Sequence, residues 1–166
     1  MDETAIRLDP VLCKCWMKRN RQKKVPLPKS SMGVIHLFAG YNWRDGKVNY
    51  CFFNRRNSDG FVRWLENLMV KSYPTENVIV IADNASFHKS RMAQAAIGVF
   101  EERLRVCFLP PYGTPLNPIE GFWKHLKEKV CGNRLFGNLE EVRERIGQFL
   151  QRQNDLEFDD RFTLYK

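Results

Sequence analysis

The feature that most constrains this chain is a short run, Val-Ile-Val-Ile-Ala at residues 78–82, that contains no polar residue and is followed at once by Asp83. A run this short and this apolar is typical of a β-strand that is buried on both faces, in a sheet covered by helices on each side. In such sheets, ligands bind beyond the carboxyl ends of the strands. Asp83 is therefore a candidate site residue, although Asp83-Asn84 also suits a turn.

Predicted strands and helices alternate around this run. Residues 34–39 and 48–53 indicate strands, and the Asp45-Gly46 pair between them predicts an antiparallel hairpin. Residues 104–109 indicate a further strand. Four helices with capping signals or apolar stripes are expected: from the N-cap Ser58, over about 88–100, from the N-cap Asn117 with Pro118 first, and from Asn138 with Glu141 as a capping box. Residues 10–20 indicate at most a weak short helix, and residues 3–30 show no pattern of a buried strand. The order predicts a mixed α/β sheet flanked by helices.

Length and composition narrow the class of protein. The chain has 166 residues, 43% apolar and 13% aromatic, which supports one globular domain and excludes general disorder. We place that domain at residues 1–153 and expect residues 154–166, with four acids and two bases, to form an acidic tail. No apolar run approaches the roughly 18 residues of a membrane span, so no membrane partner is expected. Five scattered cysteines argue against a disulfide framework and favour a reducing, cytoplasmic compartment.

The positive charge is concentrated in the first third of the chain. Residues 1–57 hold 12 Lys or Arg against 4 Asp or Glu, whereas the remainder holds 15 of each. The densest stretch contains no acid and comprises Lys14, Lys18, Arg19, Arg21, Lys23 and Lys24. This basic run suits a nucleic-acid backbone, because each neutralised phosphate releases counterions, but it also suits a solvated basic loop.

A second carboxylate, Glu120, lies near the start of the helix predicted from Asn117. A structural interpretation is a capping-box bond back to Asn117. At 100° per residue, however, Glu120, Lys124 and Lys127 share one face, away from the apolar face of the helix. That face would suit a metal-binding carboxylate flanked by phosphate-binding lysines, and it would equally suit an ordinary amphipathic surface helix.

Three motifs together resemble a known family. They are Ile-Ala-Asp83-Asn84-Ala-Ser-Phe-His88, the stretch Phe-Leu-Pro-Pro-Tyr-Gly-Thr-Pro-Leu-Asn117-Pro-Ile-Glu120-Gly-Phe-Trp123, and the opening Asp2-Glu3-Thr-Ala-Ile-Arg. They are similar to the DDE transposases of bacterial insertion sequences, the prokaryotic branch of the mariner superfamily. The 36 residues between Asp83 and Glu120 suit that branch.

The resemblance implies a ribonuclease-H-like fold whose catalytic, metal-binding triad is Asp2, Asp83 and Glu120. Two Mg²⁺ ions, replaceable by Mn²⁺, would be held by these carboxylates, since Mg²⁺ prefers hard oxygen ligands. Asn84, His88 and Asn117 would support the triad. The implied reaction is DNA strand cleavage and strand transfer at insertion-sequence ends. The implied partners are double-stranded DNA of the ends and target, a second copy of the chain on DNA, and a DNA-recognition region upstream. The eight basic residues expected to contact DNA are Lys14, Lys18, Arg19, Arg21, Lys23, Lys24, Lys124 and Lys127.

The start of the chain adds a further expectation. The first aspartate of the family follows several apolar residues on the central strand, whereas here only Met1 precedes Asp2. We therefore expect a truncated first strand, and Asp2 as the least well-held residue of the triad. Two interpretations stay open: a catalytic domain that is competent when joined to its upstream part, or an inactive fragment that only binds DNA or a full-length transposase.

Overall fold

The computed structural model describes residues 1–26, 33–111, 113 and 117–157, and its elements follow the predicted order of strands and helices. The five strands are β1 Asp2–Arg7, β2 Val34–Tyr41, β3 Val48–Phe53, β4 Val78–Ala82 and β5 Leu104–Phe108. The four α-helices are α1 Ser58–Asn67, α2 Arg91–Val99, α3 Ile119–Cys131 and α4 Leu139–Asp155. A π-helical turn, Leu68–Ser72, extends α1, and a 3₁₀ turn, Ser86–Lys89, precedes α2.

An antiparallel sheet with the order β1-β2-β3 forms one half of the strand structure. The predicted hairpin is confirmed, because β2 and β3 pair from His36–Phe53 to Tyr41–Val48. The interpretation that residues 3–30 contain no buried strand is wrong for residues 3–7. β1 pairs with β2 along its whole length, from Asp2–Ala39 to Arg7–Val34, and its first three residues are buried. The buried residues of β1 include Asp2 and Glu3, which bond to side chains more than 80 residues away. Because these buried residues are polar, β1 lacks the apolar pattern from which buried strands are predicted.

The second sheet is a parallel pair, β4 and β5, in register from Val78–Leu104 to Ala82–Phe108. The N-terminal nitrogen of Met1 donates a hydrogen bond to the carbonyl of Ile81, which links the head of β1 to β4. The expectation that β4 is buried on both faces is wrong: Ile79 and Ile81 are 71% and 46% exposed. Among the described residues, α1 and α2 cover one face of this pair and leave the other open.

Local capping decides where the helices begin, and it shifts several predicted starts. α1 is capped by Asn57, whose side chain accepts from the backbone N–H of Gly60, one residue before the predicted cap. The N-cap of α3 is Pro118, not Asn117. The capping signal of α4 is confirmed, since Asn138 accepts from the backbone N–H of Glu141. The predicted helix over 88–100 is a 3₁₀ turn followed by α2, and residues 12–17 are not helical.

Two hydrophobic cores lie on opposite faces of the antiparallel sheet, because successive side chains of β2 point to opposite sides. The core under α3 and α4 contains Ile35, Leu37, Ala39, Phe122, Trp123, Leu126, Val142, Ile146 and Leu150. The core under α1 and α2 also takes in β4 and β5 and contains Met1, Phe38, Phe61, Trp64, Leu65, Val80, Ala82, Ala93 and Leu104. β1 therefore lies where the two cores meet.

The remaining expectations concern the tail, the cysteines and the membrane. α4 continues to Asp155, so the first two residues of the expected tail are helical, and residues 158–166 lie outside the described residues. All five cysteines are free thiols. None of the helices described is both long enough and apolar enough to cross a bilayer.

Candidate active site

Asp2 is the first residue of β1, and it is buried at 7% exposure against α3. The indole Nε1–H of Trp123 donates a hydrogen bond of 3.0 Å to Asp2 Oδ2. Asp2 is thus held firmly, and the expectation that it is the least well-held residue of the triad is wrong.

Burial raises the pKa of Asp2 to about 6, and the carboxylates of Glu3 and Glu120 also act to raise it. Hydrogen bonds from the Glu3 backbone and from Trp123 oppose the shift. The N-terminal ammonium of Met1 is a neighbouring positive charge, but burial lowers its own pKa to about 6. The Asp2 carboxylate therefore lacks full compensation at neutral pH, and a cation bound beside it would be favourable.

Asp83 follows β4 directly, at the carboxyl end of that strand, and its side chain is 22% exposed. Its Oδ1 accepts a hydrogen bond of 3.0 Å from the backbone N–H of Ala85, which is the turn contact expected of an Asp-Asn pair. The same Oδ1 lies 3.0 Å from Nδ1 of His88, and Oδ2 lies 3.8 Å from a terminal guanidinium nitrogen of Arg56. Asp83 therefore combines the turn role with a strand-end position facing solvent.

Glu120 occupies the first turn of α3 and is exposed. The capping-box interpretation is wrong: among the described contacts, Asn117 and Glu120 are joined only by a backbone bond, from Glu120 N–H to the carbonyl of Asn117. Glu120 instead acts electrostatically on Asp2. Lys124 is exposed and Lys127 half-buried on the same helix, as their shared face predicts.

Electrostatic interactions at the start of β1 involve all three acidic residues. Glu120 influences the pKa of Asp2, and Asp83 influences the pKa of the Met1 ammonium. Asn117 fixes this arrangement, since its Nδ2 donates a 3.1 Å hydrogen bond to the carbonyl of Met1.

The donor chemistry of these carboxylates fits a hard divalent cation, because Mg²⁺ takes carboxylate oxygens and retains waters. Within the part of the chain that the structure describes, however, no three histidine, cysteine or acidic side chains lie close enough to hold a metal ion. The acids are neighbours rather than a preassembled set of ligands.

The supporting residues lie in the loops around these acids. Asn84 Nδ2 donates to the carbonyl of Leu109, and Lys89 donates to Asn84 Oδ1, so Asn84 ties the loop after β4 to the loop after β5. His88 is fully buried and contacts Asp83. Part of the proline-rich motif, Tyr112 and residues 114–116, lies outside the described residues.

Sequence reasoning assigned no role to Glu3 or Arg56. Glu3 is buried, and its Oε1 lies 2.7 Å from Nε2 of His88. Arg56 Nε donates a 3.2 Å hydrogen bond to Glu3 Oε2. The one signal for Glu3 was its place beside Asp2, and because neighbours on a strand point to opposite faces, that place did not predict its partners. No local pattern indicates Arg56.

All six side chains of the basic run are exposed. The start of the run is tied to the far end of α3: Val11 forms a bridge with Gly132, and Asn133 exchanges two hydrogen bonds with the backbone of Cys13. Glu120 lies at the opposite end of this 13-residue helix, about 20 Å away at 1.5 Å per residue. The run therefore starts a helix length from the acids, and nearby Trp16 and Met17 are also exposed.

Comparisons with known proteins agree on the family and the fold. A family model described as DDE superfamily endonuclease matches residues 1–143. An "Insertion element IS630 uncharacterized 39 kDa protein" from Shigella sonnei is 25% identical over 150 residues, covering 90% of this chain and 43% of that protein.

Solved structures support the ribonuclease-H-like fold. A Mos1 transposase paired-end complex with the left transposon end has a TM-score of 0.68 at 17% identity, covering 90% of this chain and 46% of that one. A Mos1 paired-end complex with Mg has a TM-score of 0.67 at 17% identity, covering 95% and 48%. The chain thus spans less than half the length of these relatives, and the ribonuclease-H-like prediction is confirmed. Since the family model covers most of its length, this chain belongs to the DDE superfamily endonucleases.

Proposed function

We propose that this chain is the catalytic domain of a DNA transposase, which cleaves DNA strands at insertion-sequence ends and transfers them to a target. The observation that carries the proposal is that both Asp83 and Glu120 interact electrostatically with the start of β1: Glu120 raises the pKa of Asp2, and Asp83 raises that of the Met1 ammonium. The IS630 relative is an insertion-element protein, and the Mos1 structures hold transposon ends, which supports a DNA substrate.

The triad would hold two Mg²⁺ ions, with Mn²⁺ as a substitute. The solved Mos1 paired-end complexes with Mn and with Mg support the use of divalent metals. Such ions, when bound, supply an activated water or 3′-hydroxyl and a stabilised leaving oxygen. The protein's part is to present the ligands: Trp123 orients Asp2, and the turn Asp83–Ala85 orients Asp83. Glu120, exposed on the first turn of α3, can move toward a bound ion without breaking a described contact.

DNA phosphates would be held by basic side chains on two parts of the surface. Lys124 lies about one helical turn beyond Glu120 and Lys127 about two turns, on the same face of α3, so both would contact phosphates on the side of the acids. The basic run starts at the far end of α3 and would follow the duplex away from the acids. We further propose a homo-oligomer on DNA, an upstream DNA-recognition region from the same element, and a cytoplasmic location. Asn84, His88 and Asn117 would support the triad through the contacts described above.

The test uses the 166-residue chain and supercoiled plasmid carrying the DNA that flanks its coding sequence, with Mg²⁺ or Mn²⁺. Nicked and linear products are measured on gels over time. Replacing Asp83→Asn or Glu120→Gln removes a metal ligand, and we expect the cleavage rate to fall about 100-fold or more. Asp59→Asn is the matched control, because Asp59 lies on α1, where its carboxylate pairs with Arg63. Cleavage that is as fast in the two site variants as in the wild type would contradict the proposal.

The second candidate function is an inactive fragment that only binds DNA or a full-length transposase. It is favoured by the lack of a preassembled ligand set among the described residues. Under this alternative the chain binds plasmid DNA but yields no nicks. Cleavage that appears only when an upstream region from the same element is added would support a catalytic domain that depends on that region.

A further inference from the structure

Glu3 is the starting point, because its carboxylate is fully buried, where an unpaired charge is costly. Two side chains contact it: His88 Nε2 lies 2.7 Å from Oε1, and the guanidinium of Arg56 places Nε 3.2 Å from Oε2. Both Glu3 oxygens are therefore occupied by side chains from other elements. Since Asp2 precedes Glu3 on β1 and bonds to Trp123 on the opposite face, the two acids have separate partners.

The imidazole of His88 connects Glu3 to Asp83. Its side chain is fully buried, with Nε2 at Glu3. Nδ1 lies 3.0 Å from Asp83 Oδ1 and 3.4 Å from the Asp83 backbone carbonyl, so the ring contacts both the side chain and the backbone of Asp83. The ring also packs on Phe61 and Phe87, with centroids 4.7 and 4.3 Å away, which restricts its rotation. Arg56 also contacts both acids: its guanidinium lies 3.2 Å from the Glu3 carboxylate and 3.8 Å from the Asp83 carboxylate.

We propose that His88, anchored by Glu3, is a positioning residue that sets the orientation of Asp83 and its distance from Asp2. The inference rests on the proposed function, in which Asp83 is a metal ligand. Asp83 belongs to the loop after β4, whereas Asp2 belongs to β1, and only one backbone bond, from Met1 to Ile81, is described between these two strands. The Glu3–His88–Asp83 chain is a side-chain connection across the same boundary. Ligating carboxylates are commonly oriented by neighbouring polar side chains, and loss of the partner typically lowers metal affinity or activity about 10- to 100-fold.

The competing explanation is that His88 merely fills the core as a buried ring. The two explanations differ in what amide replacements should do. The amide of Asn superimposes on the Nδ1 position and can still contact Asp83, whereas the amide of Gln reaches the Nε2 position and contacts Glu3 instead. A packing role predicts equal effects of His88→Asn and His88→Gln on the site, and a positioning role predicts unequal ones.

The experiment measures Mn²⁺ binding to the full 166-residue chain by the electron paramagnetic resonance of free Mn²⁺, together with the melting temperature of each variant. We expect the dissociation constant to rise about 10- to 100-fold in His88→Gln, and clearly less in His88→Asn. Glu3→Ala, which removes the anchor of the ring but leaves its contact with Asp83, should weaken binding about as much as His88→Asn does, and Glu3→Gln, which keeps a polar partner for His88, should restore most of the loss. Leu150→Ala, in the core under α4, is the control for loss of stability and should bind Mn²⁺ like the wild type.

Mn²⁺ binding by the Asp83→Asn variant distinguishes failure of this inference from failure of the proposed function. If Asp83→Asn loses Mn²⁺ binding while His88→Gln and Glu3→Ala bind normally, the positioning role is wrong and the metal site stands. Equal losses in His88→Asn and His88→Gln also overturn the positioning role. If Asp83→Asn binds Mn²⁺ as tightly as the wild type, both proposals fail. Should either His88 variant not fold, the Glu3→Ala and Glu3→Gln pair decides the question.

Discussion

Replacing Asp2 by Asn should stabilise the metal-free protein at neutral pH, although Asp2 belongs to the proposed triad. The pKa of Asp2 rises from 3.8 to about 6 on folding, chiefly through burial. A shift of roughly two units corresponds to about 3 kcal/mol of folding free energy at about 1.4 kcal/mol per unit. Asn carries no charge but brings an amide donor that needs a partner, at a cost of about 1 kcal/mol. The expected net gain at pH 7 is therefore about 2 kcal/mol, a substantial part of a typical domain stability of 5–15 kcal/mol.

The stability gained by Asp2→Asn should depend on pH, in a direction that follows from the pKa of Asp2. Because the folded pKa of Asp2 lies above the unfolded value, the native state binds a proton more tightly. The stability that this proton contributes is complete below about pH 4 and is lost as the pH rises through about 6. The free-energy advantage of Asp2→Asn over the wild type should therefore grow by about 3 kcal/mol between pH 4 and pH 7 and then stay level.

The assay is urea unfolding followed by tryptophan fluorescence at several pH values between 4 and 8, in buffer with chelator. The chelator is needed because a cation bound only by the native wild type would stabilise it and mask the effect. Asp9→Asn is the matched control, since Asp9 is exposed beyond the end of β1. A free-energy difference between Asp2→Asn and wild type that does not change with pH would refute the reasoning.

The basic run, the open edge of β4 and the exposed face of β4 each allow a further test. Replacing Lys18, Arg19 and Arg21 together by Ala should weaken DNA binding similarly across sequences and reduce the slope of log affinity against log salt by up to about 3; an unchanged slope would exclude this run as the DNA contact. Fusing five β-branched apolar residues ahead of Met1 should add a strand beside β4 and raise the melting temperature by about 3 °C or more, whereas free hydrogen exchange in the added residues would show that no strand forms. In calorimetry, Val80→Ala should lower the free energy of unfolding by about 2 kcal/mol, because Val80 is buried. Ile79→Thr should change it by less than about 0.5 kcal/mol, because Ile79 is exposed, and equal losses in the two variants would contradict the assigned faces of β4.

Elements with local signals were predictable from the sequence. α4 carries a capping residue and an apolar stripe within a single stretch, and both Asn138 and the buried Val142, Ile146 and Leu150 are confirmed. The β2–β3 hairpin was likewise predictable, because its turn and its two strands are adjacent along the chain.

β1 was not predictable in this way, because its stability depends on distant residues. Asp2 bonds to Trp123, and Glu3 contacts His88 and Arg56, so polar residues are buried without any local apolar pattern. The exposure of Ile79 was not predicted for a related reason. An apolar run indicates where a strand forms, but not whether helices cover both faces of that strand. The candidate triad came from a motif resemblance, and its catalytic role stays a prediction.

The division of the molecule into two cores has a consequence for its opening motions. Each core includes its own pair of α-helices, and the two cores pack on opposite faces of the same antiparallel sheet. Proteins open in cooperative units with separate free energies, so the half containing α1, α2, β4 and β5 should exchange its amide hydrogens independently of the other half. Asp83 lies in that half, while Asp2 and Glu120 belong to elements of the other. A ligand held by all three acids would bind both halves at once, and would therefore couple their opening so that they unfold as one unit.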